Sequence, residues 1–157
     1  MLKKGLLTVA VVAFIVTGSI GGLQAGTDMA DTLMMKNDYP HKKSIVTFTH
    51  KKHSEEYGAK CGDCHHDADN KPLNDLKMGD DVQKCIECHK KPGEVPKELK
   101  KEWKDKKVKK KEKDRLSREF HAEALHDNCR DCHKKHNKKT KTKDAPTTCA
   151  KCHPKKG

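Results

Sequence analysis

The chain has 157 residues, of which 37% are charged and only 32% hydrophobic, and its formal net charge is +12. That length fits one domain, but aromatic residues make up only 4%. So polar a polypeptide sits near disordered composition, which excludes an ordinary hydrophobic core unless something else supplies apolar surface.

Lys3 and Lys4 precede an apolar run from Leu6 to Val16, which continues weakly to Ile20. Leu23-Gln24-Ala25 then ends on a small residue before Gly26. This is the layout of a secretory signal peptide over residues 1–25, with 26–157 as the exported domain. An uncleaved anchor is the alternative. The stretch is nearly long enough to span a bilayer, but Gly18, Ser19, Gly21 and Gly22 weaken it. Without residues 1–25 the chain keeps 33 Lys and Arg against 23 Asp and Glu, a formal +10. Export to the periplasm removes nucleic acid as a partner.

Residues 26–43 read as an irregular polar arm, in which His41 is an exposed surface histidine. Ser44 to Thr49 is the best strand candidate, with Ile45, Val46 and Phe48 as its β-branched and aromatic residues. His50 and His53 follow, three apart and so on one helical face. Cys61-Gly62-Asp63-Cys64-His65 comes next, and His66 follows it directly, so two neighbouring imidazoles point in different directions. Asp80 and Asp81 read as the cap of a short helix running to His89. It carries Cys85-Ile86-Glu87-Cys88-His89.

Pro92, Gly93 and Pro96 mark a break. Residues 97–115 then hold ten lysines, one arginine and five acids, with Leu99 and Trp103 at helical spacing. This segment reads either as a solvated helical connection or as a docking surface for an acidic partner. Helix is expected from Ser117 through His121 and His126 into Cys129-Arg130-Asp131-Cys132-His133. Pro146 is expected to open a last short helix carrying Cys149-Ala150-Lys151-Cys152-His153.

Four stretches thus share one pattern, C-x-x-C-H, and they use all eight cysteines. It is the attachment signature of c-type haem. Cysteines three apart lie on one face of a helical turn, so both thiols can form thioethers with one porphyrin. The histidine that follows can reach the iron. Two zinc sites or a disulfide framework would use the cysteines too, but neither needs a histidine after every second cysteine. Four covalently bound haem c groups would supply the missing core, and Phe48 is expected to lie against porphyrin. Haem propionates would also trim the positive charge.

Val46, Phe48, His50 and His53, followed by Cys61, Cys64, His65 and His66, resemble the class III cytochromes c, the cytochrome c3-like tetrahaem proteins. The likeness runs from about residue 44 to 154. It implies a small multihaem cytochrome, mostly irregular with short α-helices and a minor N-terminal β element, wrapped around a four-haem core. It implies His65, His89, His133 and His153 as proximal iron ligands. The distal ligands it implies are His50 opposite His65, His53 opposite His133, and His66 opposite His89. A histidine upstream of the third motif would stand opposite His153. His126 has the spacing seen in relatives, and His121 is the alternative. All four motifs are short, where many tetrahaem members lengthen the second and fourth, and residues 97–115 read as an insertion.

Histidine on both sides of each iron closes the coordination sphere, and the absence of a methionine ligand points to low potential. Met78 is the one methionine near a motif, and the seven histidines outside the motifs make it unnecessary as a ligand. The expected function is periplasmic electron transfer in anaerobic respiration, with no small-molecule substrate. The resemblance implies acidic redox partners such as hydrogenase, formate dehydrogenase or a membrane-bound cytochrome complex. A multihaem reductase would need an iron with a free position, and no motif here lacks its histidine. A polymerising haem wire is the third reading, and particle size in solution separates it.

Ordering the backbone costs about 1–2 kcal/mol per residue, and the apolar content of this chain cannot offset that alone. Residues 26–157 expressed without haem attachment should therefore lack global cooperative structure by circular dichroism. A sharp thermal transition across the whole haem-free domain would overturn this.

Overall fold

The computed structural model describes residues 30–155; the expected signal peptide lies outside them. The strand expected over residues 44–49 is only two residues long, Thr47–Phe48 (β2), paired antiparallel with Leu33–Met34 (β1) in the arm. Leu33 faces Phe48 and Met34 faces Thr47. Met35 N–H adds one bond to the Val46 carbonyl at 2.9 Å, but Lys36 N–H turns back onto the Met34 carbonyl, which ends the ladder.

Short helices follow: α1 (His50–Glu55), α2 (Cys61–Cys64) and α3 (Cys85–Cys88). The helix expected from Asp80 does not form. Its carboxylate accepts from Lys77 N–H at 2.7 Å inside a turn containing Gly79 (φ 87°), so α3 starts only after Lys84. Gly62 is required by packing. A Cβ there would meet Asn74 Oδ1 at 2.5 Å, because residues 72–74 fold across the first motif through Leu73 N–H to the His65 carbonyl.

The lysine-rich segment is a helical hairpin. It comprises α4 (Lys97–Asp105) and α5 (Lys110–Ser117), with Lys107 left-handed at the turn (φ 50°) and Val108 N–H closing onto the Trp103 carbonyl. Among the described residues, the buried hydrophobic side chains are Val95, Trp103 and Phe120. All three belong to this hairpin and its base, with Leu99, Val108 and Leu116 packed against them. The base is closed by paired backbone: Lys91 N–H to the Glu119 carbonyl, His121 N–H to the Lys91 carbonyl, and Ala122 N–H to the Gly93 carbonyl.

The helix expected from Ser117 breaks at Phe120, whose backbone is extended, and restarts as α6 (His121–Thr140). The last helix, α7 (Cys149–Cys152), starts after Thr148, later than the expected opening at Pro146. The C-terminal motif folds back onto the start of the chain, with Ser44 Oγ donating to the Pro154 carbonyl at 2.6 Å.

His121 is 2% exposed and pairs through Nδ1 with the Tyr39 hydroxyl at 2.8 Å, tying the arm to α6. His41 is half-buried, stacked on the Tyr39 ring rather than free at the surface.

Two outcomes follow from this packing. Trp103→Ala should destabilise the hairpin by about 3–5 kcal/mol, the usual cost of truncating a buried tryptophan, while haem content stays unchanged. Loss of helix signal on α4 and α5, read by amide exchange, checks it. Burial first, and then the charges of His89 and His41, lower the His121 pKa below 6.5. The folded chain thus binds fewer protons at this site than the unfolded chain. Stability present above pH 6.5 is therefore lost as pH falls through that value toward the lowered folded pKa. Denaturant midpoints on either side of that window should show the loss, and His121→Gln should flatten it.

Candidate haem-binding site

Three of the four motifs are single helical turns closed the same way. The motif histidine donates its backbone N–H to the carbonyl of the first cysteine, at 2.8 Å for His65, 2.9 Å for His89 and 2.7 Å for His153. At the first, Lys60 N–H is held by Asp63 Oδ2 at 2.8 Å, which caps the turn. The third motif lies inside the long helix α6.

The histidine rings face one another in four pairs. Ring centres are 6.2 Å apart for His50 and His65, and 6.1 Å for His53 and His133. They are 5.9 Å apart for His66 and His89, and 6.3 Å for His126 and His153. Each pair joins one motif histidine to one outside the motifs. Metal–imidazole bonds are about 2 Å long, so a metal between two imidazoles puts their nitrogens about 4 Å apart and their ring centres about 6 Å apart. The pairs fit an iron between them.

The ring nitrogens carry the second part of the fit. Nδ1 donates to a backbone carbonyl at 2.7 Å in His53 (Thr49), His66 (Asp67), His133 (Pro146) and His153 (Ser44). His89 Nδ1 donates likewise to the Arg118 carbonyl. A carbonyl only accepts, so Nδ1 carries the proton and Nε2 keeps its lone pair free for a metal. Burial lowers the pKa of His50, with the charge of His53 second. Burial also lowers His65, followed by the charges of His50 and His66. Both shifts favour the neutral imidazole that a ligand must be.

The pairs are linked in series by short backbone. His65 and His66 are neighbours that turn to different partners, His50 and His89. His50 and His53 share α1, and His126 and His133 lie two turns apart on α6. The order is therefore 66/89, 65/50, 53/133, 126/153.

No disulfide joins any two of the eight cysteines. Cys129 is pushed up to about 11, first by burial and then by neighbouring Cys64, Cys85, Cys152 and Cys132. Burial also raises Cys64 and Cys85. Thiols held protonated are not the profile of a reactive redox dithiol. Among the described residues no three His, Cys, Asp or Glu side chains converge as a metal-ion site, so the cysteines do not assemble the four-sulfur cage of structural zinc.

Phe48 lies against His53, with ring centres 4.7 Å apart, and near His50 at 5.7 Å. His121 is turned to Tyr39 and His126 to His153. Met78 is exposed. The carbonyl acceptors were missed in the sequence, because any residue supplies a carbonyl and only the fold aims it.

Comparison with curated proteins and with solved structures gives no match. A model of the Class III cytochrome C family matches residues 27–153. The chain belongs to the class III cytochrome c family, whose members are electron carriers with covalently bound haem c.

Proposed function

We propose that this chain is a periplasmic, low-potential tetrahaem electron carrier. The observation that carries the reading is the four facing imidazole pairs, 5.9–6.3 Å between ring centres. In this reading Cys61 and Cys64, Cys85 and Cys88, Cys129 and Cys132, and Cys149 and Cys152 each hold one haem by two thioethers. Bound haem supplies a one-electron couple at its iron. His65, His89, His133 and His153 are the proximal ligands, and His50, His66, His53 and His126 the distal ones.

The rest is work done by the chain. The backbone carbonyls keep each ring in the tautomer that presents Nε2. Imidazole on both faces leaves no position for a substrate, which favours carrier over reductase, and favours low potential because no methionine ligates. Neighbouring pairs share α1, the His65–His66 dipeptide and α6, which supports passage along the series. The surplus of lysine favours partners with acidic surfaces. Hydrogenase, formate dehydrogenase and a membrane-bound cytochrome complex have the right role.

The matured protein should carry four haems by mass and begin at Gly26. It should give a low-spin six-coordinate spectrum in both redox states. His126→Met should alter one haem in four, the one held by Cys149 and Cys152. If His121→Met does so while His126→Met leaves the spectrum intact, the fourth assignment is wrong. Rapid carbon monoxide binding by the native reduced protein would indicate an open iron and favour a reductase.

A further inference from the structure

The α4–α5 hairpin is a rigid body, because Trp103, Val95 and Phe120 bury together inside it. Two of its five acids are paired within it and two more acids are paired at its base, while Glu98, Asp105 and Asp114 enter no ion pair among the described residues. Glu102 pairs with Lys106 at 2.6 Å, and Glu112 with Arg115 at 2.8 Å. Glu119 pairs with Lys91 at 2.6 Å, and Glu123 with Lys100 at 2.9 Å. Among the described residues no ion pair engages Lys107, Lys109, Lys110, Lys111 or Lys113. Lys109, Lys110 and Lys111 line an open cavity of about 600 Å³ with Arg115 and Arg118, where five cations face two acids, Glu112 and Asp114.

The placement is poor for stability. Lys109 flanks the start of α5, and Lys110 and Lys111 occupy its first turn beside a single acid, Glu112, which is itself paired with Arg115. The positive end of the helix dipole disfavours cations there. Three lysines gathered at that end, against one acid already paired, are better suited to a partner than to the helix.

The hairpin is also joined to one histidine pair in particular. α5 ends at Ser117, and the next carbonyl, that of Arg118, accepts the Nδ1 hydrogen of His89. Lys91, two residues past His89, bridges backbone-to-backbone beside Phe120 and pairs with Glu119. The cationic helix and the His66–His89 pair are thus one hydrogen bond apart, at one end of the series of four pairs.

We propose that the α4–α5 hairpin is the docking platform for an acidic redox protein, and that the second haem, held by Cys85 and Cys88, is the electron port it serves. This rests on the tetrahaem carrier reading and adds where the partner sits. With haem bound, a partner's reduced one-electron centre would give one electron to the iron that His66 and His89 would hold. Ferric becomes ferrous, and no bond or proton moves. Attraction between the lysines and partner carboxylates steers encounter without a tight complex.

The test uses the full matured holoprotein, with a deca-glutamate peptide as the acidic probe, followed by nuclear magnetic resonance. Amides of α5 and the resonances of the second haem should move first. Screening shortens from about 10 Å at 0.1 M salt to about 3 Å at 1 M, so the shifts should vanish at high salt. Lys110→Glu with Lys111→Glu should weaken binding about tenfold or more, a change of about 1.4 kcal/mol per decade. The same pair should make α5 more resistant to amide exchange, because acids suit that end of a helix. Lys143→Glu with Lys155→Glu, near the fourth motif, should change neither. Unchanged binding in the Lys110/Lys111 variant, or loss of binding in the Lys143/Lys155 variant, overturns the platform. Binding on α5 with the fourth haem's resonances moving instead overturns the port. Haem count and spectrum on the same samples report on the carrier reading separately.

Discussion

A ring nitrogen donating to a backbone carbonyl is the contact on which the rest of this structure depends. Thr49, Asp67, Arg118, Pro146 and Ser44 each offer a carbonyl to one imidazole. In most proteins a ring is held by packing. Here the histidine pairs lie among half-exposed neighbours and could swing freely. A hydrogen bond to the main chain fixes both the direction of the ring and which nitrogen holds the proton. The acceptors come from four separate segments, so the path of the chain is translated into the aim of the rings.

That dependence explains why so little apolar packing suffices. The buried hydrophobic residues of the described chain are three, all in the hairpin region. The remainder is a wrapping of short helical turns and loops around the one long helix α6, tied by contacts such as Ser44 to Pro154 and Asn137 to Ala145. The composition excludes an ordinary core for the chain as a whole. It does not exclude a small one, and Leu99, Trp103, Leu116 and Phe120 are spaced to make it. The two regions should differ in how they lose structure. The hairpin is held by dispersion and burial, and the wrapping by hydrogen bonds and by whatever its cysteines carry.

The motifs were legible because their chemistry fixes residue type and spacing together. The facing of His126 with His153, and of His50, His53 and His66 with their partners, follows the arrangement that the family resemblance implies. The rest depended on tertiary context. Leu33 and Met34 carry no strand pattern and pair only because Thr47 and Phe48 pass beside them. Asp80 has the look of a helix cap, but its own turn claims the carboxylate. The break at Lys107 falls in an unbroken run of helix-compatible residues, and burying Trp103 against Phe120 is what requires it. Between His121 and His126 the sequence offers only the spacing to Cys129, which the family resemblance favours at His126. What separates them is Tyr39, more than eighty residues earlier in the chain.

The order of the pairs is itself a product of short sequence distances. Adjacent residues cannot send both side chains to one partner, so His65 and His66 must divide between two. Residues three apart on α1 project from the same face, yet His50 ends on His65, just past α2, and His53 on His133 of α6. On α6, His126 and His133 stand seven residues apart, two turns along one face, about 10 Å. Each link is a stretch of rigid backbone a few residues long. Relative placement of neighbouring pairs is therefore set by covalent geometry, which heat and salt alter little. The ends of the series differ. One end, 126/153, is closed by the C-terminal motif returning to Ser44. The other, 66/89, is closed by the hairpin through Arg118. An insertion that lengthened a loop elsewhere would have left the series untouched. This one adds a charged, independently packed body at an end, where it can bear on the terminal pair without disturbing the spacing of the other three.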